Sequence, residues 1–358
     1  MKVRFIAFYL PQFHPIPEND KWWGKGFTEW THVKRARPLF KGHYQPRQPG
    51  ELGYYDLLDS EVRKKQARFA KKYGIEGFCY WHYWFGGGKR LLERPFQEVL
   101  KSGEPDFPFC LAWANDSWTG IWHGCPDRVL IKQTYPGMQD YKKHFYSALS
   151  AFQDSRYLKV NGKPIFLVYK PDQIPDSVQF IRLWRNLAQR EGLKGIYFIA
   201  IFVNRPVWDP KKLGYDAFTI TNLGKIARFG GKRAKKPRRN GGLLDMPRHI
   251  YLYKNAVKYF IENLPKGAPY YPTVIPNWDN TPRSGLDGIV LHDSRPGLFK
   301  EQVEQARNRI LHRLPDERII FIKSWNEWGE GNYLEPDQKF GLGYLEALKE
   351  AVEPNGHL

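Results

Sequence analysis

The segment Ser324-Trp325-Asn326-Glu327-Trp328-Gly329-Glu330-Gly331 sets two carboxylates three residues apart, directly after the apolar run Ile319-Ile320-Phe321-Ile322. If the chain turns helically there, residues at i and i+3 face the same way, with Cβ atoms roughly 5–6 Å apart. That spacing suits two acids acting on one glycosidic bond, since retaining glycosidases hold their carboxyls about 5–5.5 Å apart. A surface loop with two solvated glutamates is the plain alternative, and these eight residues alone fit it equally well.

Such a pair needs a rigid frame. Short β-type runs recur at 3–8, 74–80, 109–113, 164–169, 196–203, 217–221, 272–275 and 318–325. They are nearly continuous in apolar residues, as strands buried on both faces are. Helix-compatible stretches lie between them, at 61–73, 138–152, 177–191, 247–263, 299–313 and 343–352. Alternation over the whole length predicts an α/β fold, a (β/α)8 TIM barrel with elaborated βα loops, as a single domain over 1–358. A doubly wound sheet is the competitor, but no GxGxxG follows any of these runs.

Barrel active sites are built from loops at the C-terminal ends of strands, and here those ends are rich in rings, amides and acids. Strand one leads to Tyr9, Gln12, His14, Trp22, Trp23, Glu29 and Trp30. Strand two leads to Trp81, His82, Tyr83 and Trp84, and strand three, which ends at Trp113, to Asn115, Asp116 and Trp118. Strand four ends at Tyr169, five near Asn204, six at Asn222, and seven at Asn277, Trp278, Asp279 and Asn280. The last strand ends at Trp325 and Asn326. Amphipathic rings can stack on a sugar's C–H face while amides and acids bind its hydroxyls. The 13 Trp therefore fit a carbohydrate site, although an aromatic-rich core would use them as well. The expected substrate contacts are Tyr9, His14, Trp81, Tyr83, Trp84, Trp113, Asn115, Asp116, Tyr169, Asn277, Trp278, Trp325 and Asn326.

The formal net charge of +19 fits an anionic partner, an anionic surface or simply a basic protein. Its sharpest expression is 232–239, six basic residues in eight, within a basic glycine-rich loop over 224–246 after strand six. On a barrel's active-site face it could grip an anionic glycan, a lipid-linked diphosphate or a membrane's inner leaflet; a solvated loop is the plain alternative. Nucleic acid ranks last, because no helix-turn-helix, zinc-finger or RNP pattern accompanies the run. Cys79, Cys110 and Cys125 are odd in number without CxxC spacing, so they read as reduced residues. No apolar run approaches the roughly 20 residues of a membrane span, and the default reading is cytoplasmic, with a peripheral place at the inner membrane if the basic loop binds it. HExxH, GxSxG and Cys/His metal spacings are missing, and Gly86-Gly87-Gly88-Lys89-Arg90 lacks the spacing of a phosphate loop. No metal and no cofactor is expected. Among the histidines, His14, His82 and His292 lie nearest strand ends, and each alone reads first as a structural hydrogen-bonding residue.

Four long motifs, AFYLPQFHPIPENDKWWGKGFTEWTHVKRARPLFKGHYQPRQPGELGYYDL, GFCYWHYWFGGGKRLLERP, DFPFCLAWANDSWT and SWNEWGEGNYLEPD, make the chain resemble the WbsX-like group of bacterial polysaccharide-cluster proteins. That group belongs to the glycoside hydrolase family 99-like superfamily and is named both for glycosyltransferases and as a relative of endo-acting α-mannosidases. The resemblance implies that Glu327 is a base on the substrate's own 2-hydroxyl and that Glu330 protonates the leaving oxygen and later activates water. A 1,2-anhydro sugar and net retention would follow, on α-manno- or α-rhamno-configured substrates whose O2 lies anti to the leaving group. Glu330 must be protonated for its first step, so a raised pKa is expected there from burial beside Trp325 and Trp328 and from the like charge of Glu327. The strand-three motif departs from the group: where Asn-Glu-Asn-Trp-Thr and an arginine pair are usual, this chain has Asn115-Asp116-Ser117-Trp118-Thr119-Gly120-Ile121.

The expectation is a retaining, metal-independent glycoside hydrolase acting on an oligo- or polysaccharide, anionic or lipid-linked if the charge is used. The alternatives are a glycosyltransferase of surface polysaccharide (O-antigen or capsule) synthesis and a non-catalytic glycan-binding barrel. No DxD motif supports the first, and two adjacent acids are superfluous in the second.

Overall fold

The computed structural model describes residues 2–120, 125–203, 209–221, 223, 246–247, 249–261 and 270–353. Asn204, Asn222 and the basic run 232–239, with nearly all of 224–246, lie outside these residues.

Nine parallel strands form a nearly closed barrel: β1 (Arg4–Tyr9), β2 (Ile75–Trp84), β3 (Phe109–Trp113), β4 (Lys163–Val168), β5 (Tyr197–Val203), β6 (Ala217–Thr221), β7 (Tyr270–Tyr271), β8 (Thr273–Val274) and β9 (Ile319–Ile322). Their order is β7-β6-β5-β4-β3-β2-β1-β9-β8. β7 and β8 are two halves of one run split by Pro272, which has no N–H to give to a ladder. Its carbonyl still accepts from the Phe321 N–H at 2.9 Å. The circle therefore closes through one residue, and Thr219 Oγ1 reinforces it by bonding Tyr271 O at 2.8 Å and Thr273 Oγ1 at 2.6 Å.

The helices among the described residues include α1 (Pro17–Trp23), α2 (Glu29–Arg35), α3 (Ser60–Lys72), α4 (Arg94–Ser102), α5 (Met138–Gln153), α6 (Ser177–Arg190), α7 (Tyr253–Ile261), α8 (Thr281–Ser284), α9 (Pro296–Ile310) and α10 (Gly343–Val352). α3 starts where Asp59 accepts from the Glu61 N–H at 2.9 Å, an N-cap that satisfies one of the helix's orphan donors. Three expectations need correction. The 247–263 stretch opens with a short strand, His249–Leu252, before α7, because Ile250 and Tyr251 pair with Val290 and Leu291. α1, α2 and α4 form in stretches for which no helix was expected. β2 runs on to Trp84, four residues past its expected end, because the Tyr83 and Trp84 backbone pairs with Leu91 and Arg90.

Side-chain alternation along the strands decides what reaches the cavity. Phe8 stacks on Trp81 at 4.9 Å and on Phe321 at 5.4 Å, forming an interior ring layer. Tyr9, one residue on, points to the opposite side. There it packs against Tyr80 and donates to Gln66 of α3 at 2.7 Å.

Candidate active site

A cavity of about 460 Å³ opens at the C-terminal ends of the strands. Leu10 comes from the end of β1, Trp81 and Tyr83 from β2, Ala114 and Asp116 from beyond β3, Tyr169 from beyond β4, and Lys323 from beyond β9. Rings form much of the wall: Trp81 meets Tyr169 edge-on at 5.7 Å, and Tyr83 meets Trp118 at 5.2 Å. Trp23 and Phe27 close the side contributed by the long loop after β1.

Glu327 and Glu330 lie on the floor. After β9 the chain makes the short antiparallel pair Asn326–Glu327 with Asn332–Tyr333, joined by a 3₁₀ turn over Trp328–Glu330. In that turn residues at i and i+3 eclipse, which brings both carboxyls to one side. The turn is fastened from several directions. Ser324 Oγ donates to Asn332 O at 2.7 Å and accepts from Glu327 N–H at 2.9 Å. Trp328 stacks on Tyr333 at 3.7 Å and donates to the buried Glu335 at 2.6 Å. Gly331 takes φ +52° in the left-handed region, and a Cβ there would come within 2.8 Å of the Asp279 carbonyl.

One guanidinium joins the two acids. Arg283 Nη1 lies 3.0 Å from Glu330 Oε1 and 3.4 Å from Glu327 Oε1. The two oxygens are therefore at most 6.4 Å apart, the sum of those distances, which lies below the roughly 6.5–9.5 Å of inverting enzymes. Arg283 also donates from Nε to Glu29 Oε1 at 2.8 Å, with Nη2 at 2.7 Å from the same oxygen. Lys323 Nζ stands 3.8 Å from Glu330 Oε2 and 4.5 Å from the centre of the Trp278 ring. Burial and the like charge of Glu330 push Glu327 up to about 7. Burial also raises Glu29, against the pull of Arg283. The phenols of Tyr83 and Tyr169 are raised by burial, reinforced by the glutamates, so both remain donors at neutral pH.

Of the expected contacts, Trp81, Tyr83, Asp116 and Tyr169 line the cavity with Glu327 and Glu330. The others lie off it, several of them bonded to protein. Alternation sends Trp84 to the helix layer, where it donates to Asp140 at 2.9 Å, and Trp113 donates to the Trp84 carbonyl at 2.9 Å. Tyr9 bonds Gln66, and His14 Nδ1 bonds the Pro11 carbonyl at 3.0 Å. Asn115 braces the chain after β4 through Lys170 N and O at 2.9 and 2.8 Å. Asn277 accepts from Tyr333 N–H at 3.0 Å, and Trp325 is fully buried against Phe78. Trp278 carries Lys323 over its ring. Asn326 ties the turn to β1, accepting from Leu10 N–H at 2.7 Å and donating to its carbonyl at 3.0 Å.

Sequence reasoning missed Arg283 and Lys323 and named Glu29 only as one of many loop residues. Nothing in the spacing of Thr281-Pro282-Arg283-Ser284 marks the arginine. One signal was available for Glu29: the glycine between the two acids, since a glycine among large residues often admits a close approach. A Cβ at Gly329 would overlap the Glu29 carboxylate.

The family model described as "Glycosyltransferase WbsX" matches residues 5–348. The uncharacterized protein WxcX from two strains of Xanthomonas campestris pv. campestris is 38% identical over 98% of this chain and 50% of its own length. The chain thus spans about half the length of the curated relatives it matches. Among solved structures, a glycoside hydrolase-like protein superposes with TM-score 0.62 at 15% identity, over 98% of this chain and 94% of its own. A GH99 endo-α-mannosidase from Bacteroides thetaiotaomicron, in complex with Bis-tris-propane, superposes with TM-score 0.61 at 16% identity, over 98% and 96%. The chain belongs to the WbsX family and has a glycoside hydrolase-like fold.

Glu327→Gln should stabilise the protein increasingly as pH rises. With its folded pKa near 7, above the ordinary carboxylate value, Glu327 contributes stability below about pH 4.5 that is lost as pH climbs through 7. The loss is on the order of 3 kcal/mol. The Tm difference between variant and wild type, measured by calorimetry, is expected to widen from pH 5 to pH 8. Asn326→Ala leaves a buried N–H and carbonyl of Leu10 unpaired. It should cost about 2–4 kcal/mol in chemical denaturation.

Proposed function

We propose that the chain is a carbohydrate-active enzyme that cleaves α-manno- or α-rhamno-configured glycans with retention, using Glu327 and Glu330 as its reacting acids. The observation that carries this reading is the pair of buried carboxylates held by one guanidinium, with oxygens at most 6.4 Å apart, at the floor of a ring-walled cavity.

In the first step Glu327 takes the proton of the sugar's C2 hydroxyl, O2 attacks C1 from the face opposite the leaving group, and the C1–O bond breaks. Glu330 delivers a proton to the departing oxygen. In the second step Glu330 takes a proton from water, the water oxygen opens the 1,2-anhydro ring at C1, and Glu327 returns its proton to O2. Two inversions give retention, and both acids end as they began. The reactive form holds the pair's single proton on Glu330, and a C2 hydroxyl donating to Glu327 favours that arrangement. Trp81, Tyr83, Trp118 and Tyr169 offer ring faces and phenol donors to the sugar.

A second reading draws on a different observation. Arg283 and Lys323 beside Glu330 suit a leaving group that departs as an anion, as a phosphate-linked donor would. The protein would then be a transferase of surface-polysaccharide synthesis. A non-catalytic glycan-binding barrel ranks third. The proposed substrate is an oligo- or polysaccharide, anionic or lipid-linked if the +19 net charge is used. A cytoplasmic place, peripheral to the inner membrane through 232–239, and a single domain over 1–358 belong to the same proposal. Among the described residues no helix is long and apolar enough to cross a membrane and no His/Cys/Asp/Glu group could hold a metal ion.

Product analysis on α-manno and α-rhamno oligosaccharides, with and without nucleotide sugars, tests the reading. Wild type is expected to release reducing ends without nucleotide, and Glu327→Gln and Glu330→Gln to lose at least about a hundredfold in kcat. Chain extension that depends on a nucleotide sugar would instead support the transferase. The hydrolysis rate should fall above about pH 7, where the pair loses its proton, and fall again in acid, where a second proton binds.

A further inference from the structure

The turn that carries the two acids has a third carboxylate against it. Glu29 begins α2 and is 1% exposed. Its carboxylate accepts from the Gly329 N–H, inside the turn, and from Arg283 Nε and Nη2 on the far side. Arg283 comes from α8, whose start is set by Asp279: its Oδ1 accepts from the Thr281 N–H at 3.1 Å and hydroxyl at 2.6 Å. Gly329 is the residue that permits the approach, since a Cβ would overlap Glu29 and lie 2.9 Å from Arg283 Nε. Three segments far apart in the chain thus meet on one planar guanidinium, whose side chain is 8% exposed.

We propose that Arg283, anchored by Glu29 across Gly329, is the positioning residue that fixes the separation and direction of Glu327 and Glu330. Glu29 holds the Nε and Nη2 edge of the guanidinium, which leaves Nη1 to reach both acids. A guanidinium can do this because its donors form a rigid planar fork; an ammonium is a point charge on a flexible stem. Lys323 is the other cation facing the acids, so Arg283 also supplies one of the two positive charges that offset the negative charge on the floor. This inference rests on the roles proposed above for Glu327 and Glu330, and its test includes a readout that does not need turnover.

The variants are Arg283→Met, Arg283→Lys, Glu29→Gln and Gly329→Ala, each first checked for a cooperative thermal transition. On the glycan that wild type cleaves, Arg283→Met, Glu29→Gln and Gly329→Ala should each lower kcat at least about tenfold with KM changed little, because a misplaced acid weakens the transition state more than the bound substrate. Arg283→Met removes a cation and should move the pH profile upward. Glu29→Gln removes an anion and should move it downward. Arg283→Lys should restore the position of the pH profile but not kcat. Full recovery of kcat in the lysine variant, or unchanged kcat in Arg283→Met, would overturn the proposal. If wild type cleaves no glycan, the hydrolase reading fails by itself. Carboxyl ¹³C NMR titration of Glu327 then decides: an upward shift in Arg283→Met and a downward one in Glu29→Gln support the clamp, and an unmoved Glu327 in both overturns it.

Discussion

A buried cluster of charges governs this structure. Glu29, Glu327 and Glu330 sit at the base of the cavity with little exposure, and Arg283 and Lys323 meet them. Taking such groups out of water costs several kcal/mol each unless they are paired with good geometry. That constraint explains local features that otherwise look unrelated: a glycine between the two acids, a short helix started by a buried aspartate, and a capped helix laid against the 3₁₀ turn. With one proton shared by Glu327 and Glu330, the three acids and two cations balance. A floor of balanced charge is well suited to acid–base chemistry on a neutral sugar.

The barrel supplies the rigidity. Its strands alternate rings inward and outward, so the run Trp81-His82-Tyr83-Trp84 splits, with Trp81 and Tyr83 on the cavity and Trp84 bonded to Asp140 of α5. His82 and His144 meet at 2.8 Å, away from the cavity lining, and burial pushes the His82 pKa down to about 3. Asn326, which ties the turn to β1, and Glu335, which holds Trp328, Gln66 and Tyr55, form the polar backing of the turn. These groups lie off the cavity lining, yet they brace the turn that carries the two acids.

Much of this was readable in the sequence. Apolar runs separated by helical stretches announced a parallel barrel, and Glu327 and Glu330 stood out by spacing alone. Four of the expected contacts line the cavity because strand ends in a barrel point at its C-terminal face. The residues placed elsewhere than expected differ for separate physical reasons. A list of strand-end residues ignores the two-residue period, so Tyr9, Trp84 and Trp113 were counted on the wrong face. Amides such as Asn115, Asn277 and Asn326 were read as sugar binders, whereas buried backbone groups required them. Arg283 was invisible because its partners are 254, 44 and 47 residues away in sequence, and no local pattern encodes such a meeting.

The geometry of the acid pair makes a stereochemical claim, which is the most direct point of attack. Time-resolved proton NMR of an α-mannoside digest reads the anomer first released, before mutarotation. The account predicts the α anomer, by two inversions at C1. A β anomer released first would contradict it, because it would report a single inversion at C1 by water.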